Sequence, residues 1–122
     1  MRIVAVMVAL LCCLVACSPA KIDVPKGILP IEKMQLIVWD LTRADELVTN
    51  FVLIDTSKKK EPETYKMYQQ VFAIHKITKT DFYSSYSYYQ QHPVLYKTLL
   101  DSVFALGTRS RDNAAKNLQR PQ

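Results

Sequence analysis

The sequence predicts an all-α fold, a small bundle of about four helices, and three observations support this prediction. Apolar residues recur every three or four positions between residues 31 and 106, which is the spacing of helices that bury one face. No segment shows the two-residue alternation between hairpin turns that is typical of half-buried strands. The 122 residues include only two glycines, which argues against a sheet protein with many turns.

Residues 1–16 predict a lipoprotein signal peptide. Arg2 precedes an apolar run that ends at Ala16 and is shorter than the roughly 20 residues of a transmembrane helix. A positive start, an apolar middle and a small-residue end are typical of an export signal. The segment Leu14–Cys17 (LVAC) resembles the lipobox of bacterial lipoproteins, whose cysteine is acylated and becomes the new N-terminus. A plain signal peptide and a retained membrane anchor are the alternatives.

The resemblance to a lipobox implies a diacylglyceryl group and an N-acyl chain on Cys17, and we expect no other cofactor. Cys12 and Cys13 would leave with the leader, so no disulfide is expected in the mature chain. Each buried methylene contributes about 0.8 kcal/mol, so two or three acyl chains attach a protein almost permanently. We expect a membrane partner through this anchor. No acidic run follows Ser18, which favours an outer-membrane location facing the periplasm.

The rest of the chain divides into three segments. We expect residues 17–27 to form a lipidated, extended tether, because they contain two prolines and little periodicity. Residues 28–106 form the predicted helical domain. Residues 107–122 form a basic C-terminal tail, for which disorder and a helical extension over 112–119 both stay open.

Basic residues exceed acidic ones, with 16 Lys and Arg against 11 Asp and Glu, for a net charge of +5. Lys58, Lys59 and Lys60 lie in a polar segment that we interpret as a solvated loop. Clusters of this kind can also attract anionic lipid, and the cations of the tail could contact acidic envelope polymers. We expect no nucleic-acid partner, because an exported and tethered protein would rarely meet one.

The first helix is predicted from about Ile31 to Leu53. Pro30 suits its start, because the first helical turn does not use its amide hydrogens. One stripe is expected to face the core, and it consists of Met34, Ile37, Leu41, Ala44, Val48 and Phe51.

The second helix is predicted from about Pro62 to His75. Its buried side chains are expected to be Tyr65, Tyr68, Val71 and Phe72.

The third helix has the clearest start signal in the chain. Thr78 can cap it, with Asp81 three residues later in the position of a capping-box acid. Ile77 and Phe82 stand where a hydrophobic staple needs them. Phe82, Tyr86 and Tyr89 are then expected on one face.

The fourth helix is predicted to begin at Pro93 or Val94, because His92-Pro93 breaks the preceding run. Gly107 is predicted to end this helix as a C-terminal glycine. The inner stripe is expected to contain Leu95, Leu99, Val103 and Leu106.

Several blocks occur in a fixed order along the mature chain. They are Cys17, Val24-Pro25, Ile28-Leu29, Met34, Ile37–Leu41, Ala44, Val71-Phe72, His75, Ile77–Phe82, Ser85, Tyr88-Tyr89 and His92-Pro93. In this order they resemble a family of bacterial lipoproteins, mainly from bacteroidetes, known as domain of unknown function 4296. The chain departs from the family pattern at Pro30, where a serine cap is frequent, and at Asp45, where glutamate is frequent. The resemblance implies a fold and a location, and it brings no established activity.

Asp40 lies at the border of the first stripe. One interpretation makes it a ligand or proton-transfer group. The simpler one makes it a structural acceptor for a half-buried tyrosine, because a buried phenol needs a hydrogen-bond partner. Tyr86, Tyr88 and Tyr89 are the expected donors, and the sequence favours this structural site.

Trp39 points nearly opposite the stripe, and Leu53 points to the same side. The tether or the C-terminal segment could cover Trp39 within the molecule. Alternatively, Trp39 and Leu53 belong to an interaction surface for a partner or for lipid headgroups, where tryptophan is favoured.

The tyrosine-rich run from Phe82 to Tyr89 could form a stacking platform for a sugar or a base, but tyrosines at helical spacing more often pack a core. His75 and His92 each adjoin a predicted helix end, where we expect a helix-end cation and a cap respectively. Their spacing and the lack of a cysteine partner do not fit a metal site, and none is predicted.

Catalytic templates are absent from the sequence: there is no GxSxG, HExxH, P-loop or dinucleotide glycine pattern. We therefore predict a protein that is not an enzyme. The leading hypothesis is a lipid-anchored helical interaction or accessory module of the cell envelope with an unidentified protein partner. A small-ligand-binding lipoprotein with a tyrosine-lined pocket is the alternative, followed by an envelope enzyme without a familiar motif.

Overall fold

The computed structural model describes residues 22–119, and this part of the chain is an all-α bundle without strands. Four helices follow one another, with a short 3₁₀ turn, Val52–Ile54, after the first. They are α1 (Ile31–Asn50), α2 (Lys60–Ile74), α3 (Lys79–Gln90) and α4 (Pro93–Leu118). The predicted fold class is thereby confirmed. The predicted signal peptide and the lipidated Cys17 lie outside the described residues.

Helix α1 is the central element, because it contacts each of the other three helices. Its predicted stripe is confirmed at five positions and also includes Ile31. The buried residues of α1 are Ile31, Met34, Ile37, Leu41, Ala44 and Val48. The prediction is wrong at Phe51, whose side chain is 67% exposed. Phe51 stands beyond the last helical residue, so the helical period no longer directs it to the core.

Helices α1 and α2 run antiparallel. Asp40 contacts His75, while Asp45, further along α1, contacts the earlier residue Tyr68 of α2. Helix α2 starts at Lys60, before Pro62, which is tolerated because the first turn does not use its amide hydrogens.

The predicted buried face of α2 is confirmed at Val71 and Phe72, and Tyr68 is half-buried. The prediction is wrong at Tyr65, which is 57% exposed. Its ring lies 6.0 Å from the Lys79 ammonium group, which is also 5.8 Å from the ring of Tyr83. Tyr65 therefore belongs to a surface cation–π group.

The connection from α2 to α3 uses two local motifs. At its start, Lys76 adopts φ 51°, and the amide of Ile77 donates to the Phe72 carbonyl at 3.0 Å, as in a Schellman motif. At its end, the Asp81 amide donates to Thr78 Oγ1 at 3.1 Å and the Thr78 amide donates to Asp81 Oδ2 at 2.8 Å. The predicted capping box is confirmed.

Helix α3 buries Phe82, Ser85 and Tyr89, and Tyr86 is half-buried on the same side. The predicted common face of the three aromatic residues is therefore confirmed. Phe82 stacks on Tyr86 with ring centroids 5.6 Å apart, and it lies 5.5 Å from the ring of Phe72. These rings join α2 and α3 at the core.

Helix α4 does not end at Gly107, so the predicted end of this helix is wrong. Of the two alternatives for the C-terminal tail, the helical extension is the one observed, and it reaches Leu118. Gly107 is buried in mid-helix. A Cβ atom at this position would lie 3.0 and 3.2 Å from two ring carbons of Trp39. The glycine permits a close approach of α4 to α1 and does not act as a helix stop.

The inner stripe of α4 is centred on Leu99, which is fully buried. Leu95, Val103 and Leu106 are half-buried. Beyond Thr108 the described residues of α4 are exposed, so the last turns of this helix extend past the core.

The segment before α1 lies against the bundle. Ile22, Val24, Ile28 and Leu29 pack on the core, although they have no helical structure. The Leu29 amide donates to Ser85 Oγ at 2.9 Å, and the Leu29 carbonyl accepts from the Tyr89 hydroxyl at 2.9 Å. Part of the expected tether therefore packs on the core through Ile22 and Val24, and Leu29, which follows it, is held by α3.

The contact between Gly107 and Trp39 can be tested by adding a side chain. We expect Gly107→Leu to displace the indole ring, because no space exists for even a Cβ atom without movement of Trp39. Trp39 is the only tryptophan, so its fluorescence emission reports the change directly and should shift to the red. The matched control is Ala105→Leu, at an exposed position of the same helix. Equal emission spectra for the two variants would contradict the close contact.

Candidate functional site

Asp40 pairs with His75. Asp40 Oδ2 lies 2.8 Å from His75 Nε2, and Asp40 Oδ1 lies 4.0 Å from the Arg43 guanidinium. The His75 side chain is only 14% exposed and that of Asp40 is 34% exposed. The expected tyrosine donors bond elsewhere: Tyr86 to the Tyr96 hydroxyl at 2.9 Å, and Tyr89 to the Leu29 carbonyl.

The predicted Asp40–tyrosine contact is therefore wrong, and the reason is geometric. Asp40 shares a side of α1 with Ala44 and Leu47, and these residues border a groove with α2. The tyrosines of α3 pack on a different side of α1. His75, which was expected only as a cation at a helix end, ends α2 directly opposite the carboxylate.

A carboxylate that holds a histidine is a recurring part of hydrolytic sites, where the histidine activates a serine or cysteine. The buried serine of α3 does not serve this purpose. Ser85 Oγ accepts from the Leu29 amide and donates to the Asp81 carbonyl at 2.7 Å. The Asp40–His75 contact joins α1 to α2 beside a groove of about 350 Å³. The residues that line this groove are Asp40, Arg43, Ala44, Leu47, Met67, Gln70, Val71 and Ile74.

The tyrosine side chains form a connected cluster. The Tyr68 hydroxyl donates to Asp45 Oδ2 at 2.9 Å, and Tyr86 bonds to Tyr96 across the α3–α4 turn. A second groove, of about 250 Å³, lies between α1, α2 and α3 and is lined by Val38, Leu41, Thr42, Asp45, Tyr68, Phe82, Tyr83 and Tyr86. This volume is below the range of roughly 300–1,000 Å³ that is usual for small-molecule sites.

The pKa values of these phenols reflect their surroundings. Burial, with the Asp45 carboxylate as the hydrogen-bond partner, raises the pKa of Tyr68 to about 12. The hydrogen bond to Tyr96 and burial raise the pKa of Tyr86 to about 12. Burial and the charge of Glu32 do the same for Tyr89. The cluster is therefore adapted to neutral, hydrogen-bonded tyrosines.

Trp39 borders a third groove, between α1 and α4. Its volume is about 370 Å³, and it is lined by Trp39, Thr42, Glu46, Leu100, Val103, Phe104, Gly107 and Arg111. Phe104 is 72% exposed, and Leu100 is also exposed. Trp39 itself is half-buried, because α4 covers one side of the indole ring at Gly107. Leu53 lies in the 3₁₀ turn and does not line this groove.

Leu36 and Leu47 of α1 are exposed as well, and Leu47 lines the groove between α1 and α2. The apolar residues of the groove between α1 and α4 form what we call the outer face, a surface made of Trp39, Leu100, Val103 and Phe104. Glu46 and Arg111 provide charge at its border.

The second histidine, His92, occupies the N-cap position of α4, but its side chain makes no capping hydrogen bond there. The imidazole stacks on Tyr88 with centroids 4.1 Å apart, and its Nδ1 lies 2.7 Å from the Tyr88 carbonyl oxygen. Within residues 22–119, no three side chains of His, Cys, Asp or Glu are grouped as metal ligands would be. In the same range, no helix combines the length and apolar character needed to cross a bilayer.

Loss of the Asp40 carboxylate should destabilise the protein. We expect Asp40→Ala to lower the free energy of unfolding by about 1–2 kcal/mol, because the half-buried His75 ring loses its partner. Chemical denaturation near neutral pH measures this change. The control is Asp101→Ala, which removes an exposed ion pair with Lys97 that contributes little. Equal losses for both variants would show that the Asp40–His75 contact is not stabilising.

Alkaline solution should weaken the fold. Tyr68, Tyr86 and Tyr89 have pKa values of about 12 in the folded state, against the ordinary tyrosine value of 10.0. Between these two pH values the unfolded chain releases protons that the folded chain retains. Their stabilising contribution is therefore complete below pH 10 and disappears as the pH rises toward 12. We expect the melting temperature to fall across this range, and less steeply in Tyr68→Phe. If the melting temperature of Tyr68→Phe fell with pH as steeply as that of the unchanged protein, the raised pKa of Tyr68 would be contradicted.

Comparison with known proteins yields one finding. A family model described as a domain of unknown function (DUF4296) matches residues 25–106, which is more than half of the chain. Neither a curated protein nor a solved structure matches it. The match spans α1, α2, α3 and the first half of α4, together with the segment that α3 holds. The chain belongs to the DUF4296 family, as the order of its sequence blocks indicated.

Proposed function

We propose that this protein is a lipid-anchored accessory module of the bacterial cell envelope, which binds an apolar segment of another envelope protein at its outer face. The lipobox-like segment that ends at Cys17 supports the anchor and the envelope location. The outer face supports a binding role. The proposed location is the periplasmic side of the outer membrane. The basis for this side is that no acidic run follows Ser18.

The observation that carries the binding role is the exposure of Phe104 next to Trp39. Phe104 is 72% exposed and borders a groove of about 370 Å³ together with Trp39, Leu100 and Val103, so apolar side chains are grouped at this surface. Aromatic side chains in a groove are frequent centres of protein interfaces. Glu46 and Arg111 stand at the border, where polar groups surround such centres.

The two alternatives have less support. A ligand carrier would use the tyrosine groove, but the hydroxyls of Tyr68 and Tyr86 are already hydrogen-bonded within the protein. An enzyme would use Asp40 and His75, whose contact we propose to be structural. Neither role accounts for the exposed apolar residues of α4.

A photo-crosslinking experiment tests the proposal. The photoreactive residue p-benzoylphenylalanine replaces Phe104 in the full chain, and intact cells of the native host are irradiated. We expect one crosslinked species, which mass spectrometry identifies as another envelope protein. The species should disappear when Leu100→Glu is added, because a charge in the groove opposes an apolar partner.

The matched control places the photoreactive residue at Leu118. This position is on the same helix and exposed, but outside the groove. Equal crosslinking from both positions would contradict a specific outer face. A crosslinked product that contains two copies of this chain would show self-association and would contradict a different envelope protein as the partner.

A further inference from the structure

We propose that the bundle stands on the bilayer by one particular end, which contains residues 22–30, the start of α1 and the α3–α4 turn. This inference rests on the proposed acylation of Cys17. It adds the orientation of the domain, the surface that touches lipid and the surfaces that do not. We call this part of the molecule the anchor end.

Ile22 already belongs to the folded bundle. Ile22 and Val24 pack on the core, and the Pro25 carbonyl accepts from the Ile28 amide at 3.1 Å in a turn that contains Gly27 at φ 88°. Leu29 is then held by hydrogen bonds from both its amide and its carbonyl to α3. The chain is therefore part of the folded body from Ile22 onward.

The chain between Cys17 and Ile22 is short. Only residues 18–21 separate Cys17 from Ile22. Five steps between successive Cα atoms span at most about 18 Å when fully extended. Helix α1, with 20 residues, is about 30 Å long. An acylated Cys17 lies in the headgroup region, so Ile22 stays within about 18 Å of that region, a distance shorter than α1.

The end of α3 lies close to the segment before α1. The Tyr89 hydroxyl reaches Leu29 just before α1, and Glu32 is close enough to influence its pKa. Tyr89 is the penultimate residue of α3, so the turn that leads to Pro93 also lies here. Val94, at the second position of α4, is 79% exposed.

The chemistry of the anchor end suits a lipid surface. Val94 offers an exposed apolar side chain, and the stacked rings of Tyr88 and His92 are amphipathic groups of the kind found at headgroups. Lys26 and Lys33 are balanced in charge by Asp23 and Glu32. The contact should therefore not need anionic lipid.

The end of the bundle opposite the anchor end is the one at which α1 finishes. Lys58 and Lys59 lie in the loop after α1 and Lys60 begins α2, about 30 Å along the bundle from the anchor end. This distance exceeds the Debye length of about 8 Å at physiological salt. In the upright orientation these lysines face away from the bilayer and do not bind its lipids.

Single-cysteine labelling tests the orientation. In the mature lipoprotein Cys17 is blocked by acylation and Cys12 and Cys13 are removed, so an introduced cysteine is the only free thiol. We would label Val94→Cys and Ser57→Cys with the fluorophore NBD. Both positions are exposed, one at the anchor end and one in the distal loop. The labelled full-length lipoproteins are then added to phosphatidylcholine vesicles that contain a spin label at the headgroup.

We expect several-fold stronger quenching at position 94 than at position 57, with no change when anionic lipid is included. A spacer of ten Gly and Ser residues inserted after Ala20 should reduce the quenching at position 94. Equal quenching at both positions would show that the bundle lies flat, and stronger quenching at position 57 would show the reverse orientation. Either result overturns the proposal.

Flotation with the vesicles separates this inference from the proposed anchor. Protein that floats but shows no preference for position 94 retains its anchor and refutes only the orientation. Protein that does not float, like a Cys17→Ser control, refutes the acylation itself.

Discussion

The fold depends on the burial of α1 by all of its neighbours. Within residues 22–119 the core contains eleven buried apolar residues, and six of them belong to α1. A chain of this size cannot build a second core, so the other helices bury their apolar residues in the core that contains the stripe of α1. The predicted stripe of α1 supplies the contact, with Met34, Ile37 and Val48 fully buried. Each fully buried aliphatic side chain contributes about 1.5–3 kcal/mol, which makes this stripe the largest single source of stability.

Apolar packing alone does not specify how the helices are arranged around α1, and polar contacts add that information. Asp40 with His75 and Asp45 with Tyr68 fix the direction and register of α2. Leu29, bonded to Ser85 and to Tyr89, fixes α3 against the segment before α1. These groups are partly buried, so their hydrogen bonds favour one arrangement over others by the cost of leaving them unpaired. The residues that looked like candidate catalytic groups therefore have an evident role in the fold.

The accuracy of the sequence predictions followed the distance between interacting residues. The capping box of α3 was predictable because Thr78 and Asp81 are three residues apart and need no other element. The end of α2 was less evident, since Lys76 adopts a left-handed conformation that usually indicates glycine. The partner of Asp40 was not predictable from one helix, because the periodicity of α1 does not say which helix packs on which side. The prediction that Gly107 ends its helix was wrong because the role of this glycine depends on Trp39, 68 positions earlier. A signal was present, however: Leu99, Val103 and Gly107 are four residues apart and continue one stripe.

The same glycine links the fold to the proposed function. The contact of Gly107 with Trp39 draws α4 onto α1 at the middle of the bundle, while Phe104, one turn earlier, stays in solvent. A larger residue at 107 would separate the helices, and a smaller residue at 39 would leave the groove without a floor. The outer face is therefore a consequence of the helix packing and not an independent patch. The groove lies between α1 and α4, on the side of the bundle that Trp39 and Phe104 border. A domain standing on the bilayer would then present the outer face laterally, where a neighbouring envelope protein could reach it without displacing the lipid anchor.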